Sequence, residues 1–215
     1  MAKGKSKNTS HSAGPIEISL GDHIARYLYI GWRMLWFDKT CLKFMDVSGR
    51  AVIRSFWALV FAAPFYFLAQ YFITLDPVME DLGGAPYWTL FVGYAIGWPV
   101  FAYIMFYLSK VLDVGPYFIQ FIPAYNWARV FALAVFLPVY ALIGMRLIPV
   151  WADNILLIGT IGWIFAYEVF IIRHTLKATW FHAVLIAVFD FLIFEILRRQ
   201  ILDAFLEVSQ SNVAG

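Results

Sequence analysis

The feature that most limits what this chain can fold into is the length of its apolar runs. They fall at about residues 55–75, 87–108, 128–148, 155–172 and 178–197, separated by short polar breaks such as "DPVMEDLGGAP". A helix rises about 1.5 Å per residue, so about twenty apolar residues cover a hydrocarbon core of about 30 Å. Composition agrees with this spacing: 62% of the 215 residues are hydrophobic and 14% charged. Soluble domains run near 45–50% apolar and about a quarter charged, and one small core cannot hide the excess. The expected fold class is therefore an all-α integral membrane protein, a bundle of about five transmembrane helices.

What precedes the bundle is different in kind. Residues 1–17 are rich in Lys, Ser, Asn and Gly and are expected to form a disordered polar and basic tail. No apolar h-region follows this basic stretch, so the first span is expected to act as its own uncleaved insertion signal. From 18 to 46 the apolar residues gather on one side of a helix, Leu20, Ile24, Tyr27, Leu28, Met34 and Leu35 among them. A basic face of Arg26, Arg33, Lys39 and Lys43 accompanies them, with Trp32 and Trp36 nearby. This pattern predicts an amphipathic helix at the membrane surface, lying in the headgroups or packed on the ends of the protein's own spans. The five-span domain is expected over 47–197, and 198–215 reads as a short amphipathic piece followed by a polar tail.

Lysine and arginine in the flanks set the expected orientation. Nine precede the first span, while the loop at 76–86 has none and carries Asp76, Glu80 and Asp81. The N-terminus is thus expected in the cytoplasm, at the inner membrane if the source is bacterial. The pair Arg198 and Arg199, on the far side, dissents from this scheme. The segment 114–127 is apolar but interrupted by Gly115, Pro116 and Pro123, and it reads as a loop with an interfacial or partly re-entrant stretch. In "AYNWARV" that follows, Asn126 is expected to cap the third span, Tyr125 and Trp127 to sit at headgroup level, and Arg129 to snorkel to phosphates.

Pro64, Pro99 and Pro138 stand near the middle of the first three spans and are expected to kink them. Gly93 and Gly97, and Gly159 and Gly162, are expected to let helices approach closely, within the chain or between copies.

Ionisable groups inside apolar runs are the candidate functional residues, because Asp at a helix centre costs about 2.5–3.5 kcal/mol even on permissive insertion scales. Glu168 and His182 lie on consecutive antiparallel spans at similar depth and are expected to pair. Glu195 has arginines at i+3 and i+4, the spacing of a helix-surface ion pair. Asp190 lies about twelve residues into the fifth span with no compensating charge within a turn. Its expected partners at comparable depth are Tyr94, Trp98, Tyr103 and Trp163.

Catalytic signatures are missing from the sequence: no G-x-S-x-G, no H-E-x-x-H and no phosphate-binding glycine loop. One cysteine, Cys41, excludes an intrachain disulfide or a thiolate metal cluster. No cofactor and no metal are expected. The partners expected are the lipid bilayer and a homo-oligomer or another membrane protein; a basic patch on a soluble face, which nucleic acid would need, is lacking. Two functions follow. One is a non-enzymatic scaffold, assembly or membrane-organising factor; the other is a small transporter or channel component using Asp190 with Glu168 and His182.

Overall fold

The computed structural model describes residues 19–75 and 87–214. The expected tail at 1–17, the acidic loop at 76–86 and Gly215 lie outside the described residues. Among those described there are helices and no strand: α1 (Leu20–Leu35), a 3-10 turn (Lys39–Phe44), α2 (Gly49–Ser55), α3 (Trp57–Thr74), α4 (Tyr87–Val111), a second 3-10 turn (Gly115–Tyr117), α5 (Phe118–Gly144), α6 (Val150–Thr175) and α7 (Trp180–Ala214). Five of the resulting helical stretches are long and apolar enough to cross a membrane: Gly49–Thr74, Trp88–Val111, Gly115–Gly144, Val150–Thr175 and Trp180–Ile201.

The third of these corrects the expectation for 114–127. From Gly115 that segment is helical, a 3-10 turn leading into α5, which begins about ten residues before the position the apolar run implied. Pro116 stands at the start of the preceding turn, where its missing N–H costs nothing, and Pro123 lies inside α5, which continues through it as one helix. At the other end of the chain, the stretch after 197 continues α7 without a break to Ala214.

Helix starts follow side chains visible in the sequence. Ser19 Oγ accepts from Asp22 N–H at 3.0 Å, Asp38 Oδ1 from Thr40 N–H at 2.8 Å, and Ser48 Oγ from Ala51 N–H at 3.1 Å. Helix ends use a motif that the sequence disguises. Phe37, Asp113 and Arg146 follow α1, α4 and α5 with φ of 58°, 56° and 54°. Each is the left-handed residue of a Schellman cap, closed by Asp38 N–H to Arg33 O, Val114 N–H to Ser109 O and Leu147 N–H to Leu142 O. Glycine is the usual occupant, and here every occupant is a side-chain-bearing residue.

α3 and α5 run parallel and in close contact. Asn126 Nδ2 donates at 2.9 Å to Oγ of Ser55, the last residue of α2 just before α3, and a Cβ on Gly144 would lie 2.1 Å from the Phe72 carbonyl oxygen at the far ends of α3 and α5. α4 runs antiparallel to α5, since Phe101 stacks on Tyr125 and Phe106 meets Phe118 edge-on. α1 lies on the bundle: Tyr27, Ile30 and Met34 are buried, Tyr167 donates to Gly31 O at 3.1 Å, and Trp127 packs against Tyr27. Of the two placements expected for this helix, packing on the protein's own spans describes these contacts, while Trp32 and Trp36 remain exposed.

Of the two roles expected for the glycines, close approach within the chain is not what these positions make. Gly97, Gly159 and Gly162 have nothing within 4 Å of a would-be Cβ, and Gly93 meets only the end of the Ile201 side chain. The close approaches inside the chain are made by Gly144 against Phe72 and Gly31 against the Phe131 ring. Pro64, Pro99 and Pro138 lie inside α3, α4 and α5, each of which continues through its proline as one helix.

Candidate functional site: a charged wall in a central cavity

Asp190 is buried midway along the apolar part of α7, and its partners come from α5. Arg129 Nη2 reaches Oδ1 at 2.8 Å and Oδ2 at 2.9 Å, and the Tyr125 hydroxyl donates a short hydrogen bond to Oδ2. Tyr125 and Arg129 are four apart on one helix, so both face the same neighbour. The guanidinium also lies among three rings, 4.8 Å from the centre of Tyr125, 5.2 Å from Phe101 and 5.6 Å from Trp98. Aromatic faces favour a cation that has lost its water. The desolvated charge on each side of the pair is thus answered by direct bonds and by ring faces. Breaking such a pair would leave one charge uncompensated.

Glu168 of α6 stands beside this pair, close enough for its charge to act on both Arg129 and Asp190. Its carboxyl group is within hydrogen-bonding reach of the Asp190 carboxyl, and its Oε1 is buried. Glu168 therefore joins Asp190 and Arg129, and not His182 as the sequence led us to expect. His182 is half-buried three residues into α7, with its ring beside Phe181 and its backbone N–H donating to Thr179 Oγ1. The four partners expected for Asp190 divide. Tyr94 and Trp98 line the same cavity, whereas Tyr103 is exposed and Trp163 packs against Trp36 and Phe37. Glu195 pairs with Arg199 at 2.7 Å on the exposed side of α7.

The three charged groups form part of the wall of a cavity of about 370 Å³ between α3, α4, α5, α6 and α7. Its other walls are aromatic and aliphatic, with Tyr66, Phe136, Tyr140, Ile161 and Phe194 among them. It extends from the charged cluster toward the ends of α3 and α5 at which Ile73 and Tyr140 stand. A largely apolar hollow of this volume with a few converging polar groups has the makeup of a small-molecule site. No set of three or more His, Cys, Asp or Glu residues suited to a metal ion occurs among the described residues.

The sequence reading missed Arg129 and Tyr125 as site residues because it started the third span at 128. With α5 running from 118 to 144, Arg129 falls inside the helix, its side chain mostly covered, and Trp127 and Asn126 are buried with it. Counting the apolar residues before Pro123 as helix would have revealed an unpaired cation and an unpaired acid at the same depth.

The expected basic face is distributed differently. Arg33 is held by Asp38 and by the Tyr29 hydroxyl, while Arg26 and Lys43 border an open hollow with Tyr29 and Phe44, and Lys39 is exposed. Two bonds from Thr40, more than Arg33, hold the Asp38 carboxyl down to about 2. Burial pushes the Cys41 thiol up to about 11, which leaves it unreactive. His23, buried under α1 with Nε2 unpartnered, is lowered by that burial and then by the Arg54 charge.

Compared with protein-family models, with curated proteins and with solved structures, the chain finds no match.

Proposed function

We propose that this chain is a multi-pass membrane protein that binds a small solute in its central cavity and carries it across the bilayer, without enzymatic chemistry. The observation that supports the reading is the placement of Arg129 and Asp190 midway along apolar helices, with Glu168 beside them, on the wall of a cavity with room for a ligand. Ionisable groups at such depth are costly to keep, and a solute or ion pathway is the usual reason they are kept. In this reading the N-terminus and α1 lie on the cytoplasmic side, where the excess of Lys and Arg favours them. The cavity then faces the opposite side, toward the ends of α3 and α5. The exposed Trp32, Trp36 and Phe44 suit the headgroup layer of an inner membrane.

Purified protein in proteoliposomes tests this by uptake of labelled cationic, neutral and anionic small solutes under an imposed pH gradient and membrane potential. Wild type is expected to take up at least one class faster than empty vesicles, and Asp190→Asn to lose most of the difference. Uptake no faster than into empty vesicles for every class would contradict transport.

A second reading, a scaffold or assembly factor, is favoured by Gly97, Gly159 and Gly162, which leave open space beside α4 and α6 for a helix of another protein or another copy. Crosslinking in native membranes is expected to trap a stable oligomer or complex under this reading, and recovery of monomers alone would sink it.

A further inference from the structure

Two acids and one cation meet on the cavity wall, and their hydrogen bonds distinguish the acid that keeps its charge from the one that does not. Asp190 accepts at both oxygens. Arg129 Nη2 lies 2.8 Å from Oδ1 and 2.9 Å from Oδ2, and the Tyr125 hydroxyl donates to Oδ2. A group that only accepts, with a guanidinium against it, is a carboxylate. Glu168 bonds to the same carboxylate with one oxygen and leaves Oε1 buried and unpartnered. Two carboxylates have no hydrogen to share, so a bond between these groups needs a proton on one of them. With Asp190 occupied as the acceptor, that proton belongs on Glu168. The orphaned Oε1 agrees with this assignment. A carboxylate oxygen buried without a donor is costly, whereas the carbonyl oxygen of a neutral acid forfeits much less. Charge balance agrees as well, because one proton makes the set of Arg129, Asp190 and Glu168 neutral.

The other titratable residues that line this cavity are phenols: Tyr66 of α3, Tyr94 of α4, Tyr125 and Tyr140 of α5 and Tyr167 of α6. Phenols ordinarily keep their protons up to about pH 10, so none competes for this one. The cluster is also within reach of water. The side chains of Asp190 and Arg129 keep 11% and 23% of their surface exposed, and both line a cavity of about 370 Å³, which has room for water.

Resting on the solute-carrying reading above, we infer that Glu168 and Asp190 form a one-proton site, and that movement of solute through the cavity is coupled to the loading and unloading of this proton. In the loaded site Glu168 holds the proton and donates it to Asp190. In unloading, the Glu168 O–H bond breaks as an Asp190 O–H bond forms, and the electron pair stays on Glu168. Asp190 then passes the proton to water in the cavity. The cluster goes from neutral to one net negative charge, with Arg129 beside both carboxylates. Loading retraces the same steps. Acids inside apolar helices serve as proton relays in many pumps and transporters, and this pair has the bonds that such a relay needs.

Infrared difference spectroscopy of the full-length protein in lipid vesicles tests the proton site without any solute. At neutral pH, wild type is expected to show the carbonyl stretch of a protonated carboxyl that shifts in D2O, and Glu168→Gln to lack that band. Glutamine keeps the size of the side chain and can donate an amide N–H to Asp190, so the variant should unfold close to the wild-type temperature. Coupling is read in proteoliposomes with the membrane potential clamped. The probes are labelled benzyltrimethylammonium, phenyl glucoside and benzenesulfonate, which are cationic, neutral and anionic. A gradient of about one pH unit supports up to about tenfold accumulation of a neutral probe for each proton moved with it. Wild type is expected to accumulate one of the probes about threefold or more under one direction of the gradient, and Glu168→Gln to lose this accumulation while still exchanging labelled for unlabelled probe. Glu168→Asp, which keeps an acid, should retain gradient-driven accumulation. A carboxyl band that persists in Glu168→Gln, accumulation indifferent to the pH gradient, or accumulation undiminished in Glu168→Gln would overturn the proton site while leaving transport in place. Failure of every probe to enter wild-type vesicles faster than empty ones would overturn the transport reading, and the coupling with it.

Discussion

The two halves of α5 are similar in apolar content and opposite in what they build. From Phe121 to Ala128 every residue is buried, so the helix is covered all round, with α6 and α7 packed on it as well as α1, α2, α3 and α4. Beyond Val130 most positions are only partly buried, and Ala132, Leu133, Phe136 and Tyr140 line the cavity. The covered half carries the polar side chains Tyr125 and Asn126, with Arg129 at its end; the cavity half carries only Tyr140 of that kind. A packed collar thus fixes the positions of the groups that face the hollow. Position is what a charged wall needs, because a hydrogen-bonded ion pair in an apolar interior tolerates little displacement.

Substitutions at the junction of the halves should have the largest effect. Arg129→Met leaves Asp190 buried beside Glu168 with no cation, and is expected to cost about 3–5 kcal/mol, read by thermal unfolding in detergent. Gly144→Ala comes next. Its methyl would fall against the Phe72 carbonyl, a backbone atom that moves only with the helix, so α3 and α5 must part at a cost of about 1–3 kcal/mol. Gly97→Ala, beside open space, should stay within about 0.5 kcal/mol. In the collar, Asn126→Ala removes the bond to Ser55 Oγ and should cost about 1–2 kcal/mol, with the cavity's ligand affinity unchanged.

The smallest effect concerns α1. The folded state depresses the His23 basicity, so it favours the neutral ring. The stability this contributes is complete above the free-histidine value near 6.5 and declines as pH falls below it. Amide exchange in α1 should therefore quicken from pH 7 to pH 5 relative to α5, and His23→Phe should remove the dependence. Exchange in α1 that is flat with pH in wild type would count against burial of His23.

The apolar runs made the number of long helices legible, and Ser19, Asp38 and Ser48 marked helix starts in the way serine and aspartate usually do. Helix ends were less legible, since Phe37, Asp113 and Arg146 occupy left-handed caps that glycine normally announces. The candidate site was half legible. Asp190 stood out because charge in an apolar run is rare, and Glu168 for the same reason. Their partner was hidden by Pro123, which reads as a breaker but lies inside a helix that continues through it, and by the habit of assigning an arginine near aromatic residues to the headgroups. Pairing of Glu168 with His182 was inferred from depth alone. Depth says nothing about which face of a helix a side chain occupies, and on α7 it is Asp190 that comes beside Glu168, while His182 lies next to Phe181.

The claim on which the rest depends is that Arg129 and Asp190 form one unit inside the bundle. A double-mutant cycle with Arg129→Met, Asp190→Leu and the combined variant measures it directly, by thermal unfolding of all four proteins in the same detergent. Each single variant should be strongly destabilised and the double variant should recover much of the loss, giving a coupling at the upper end of the usual range, about 2–3 kcal/mol. Losses that add to within about 0.5 kcal/mol would mean that the two residues do not meet, and would contradict the charged wall.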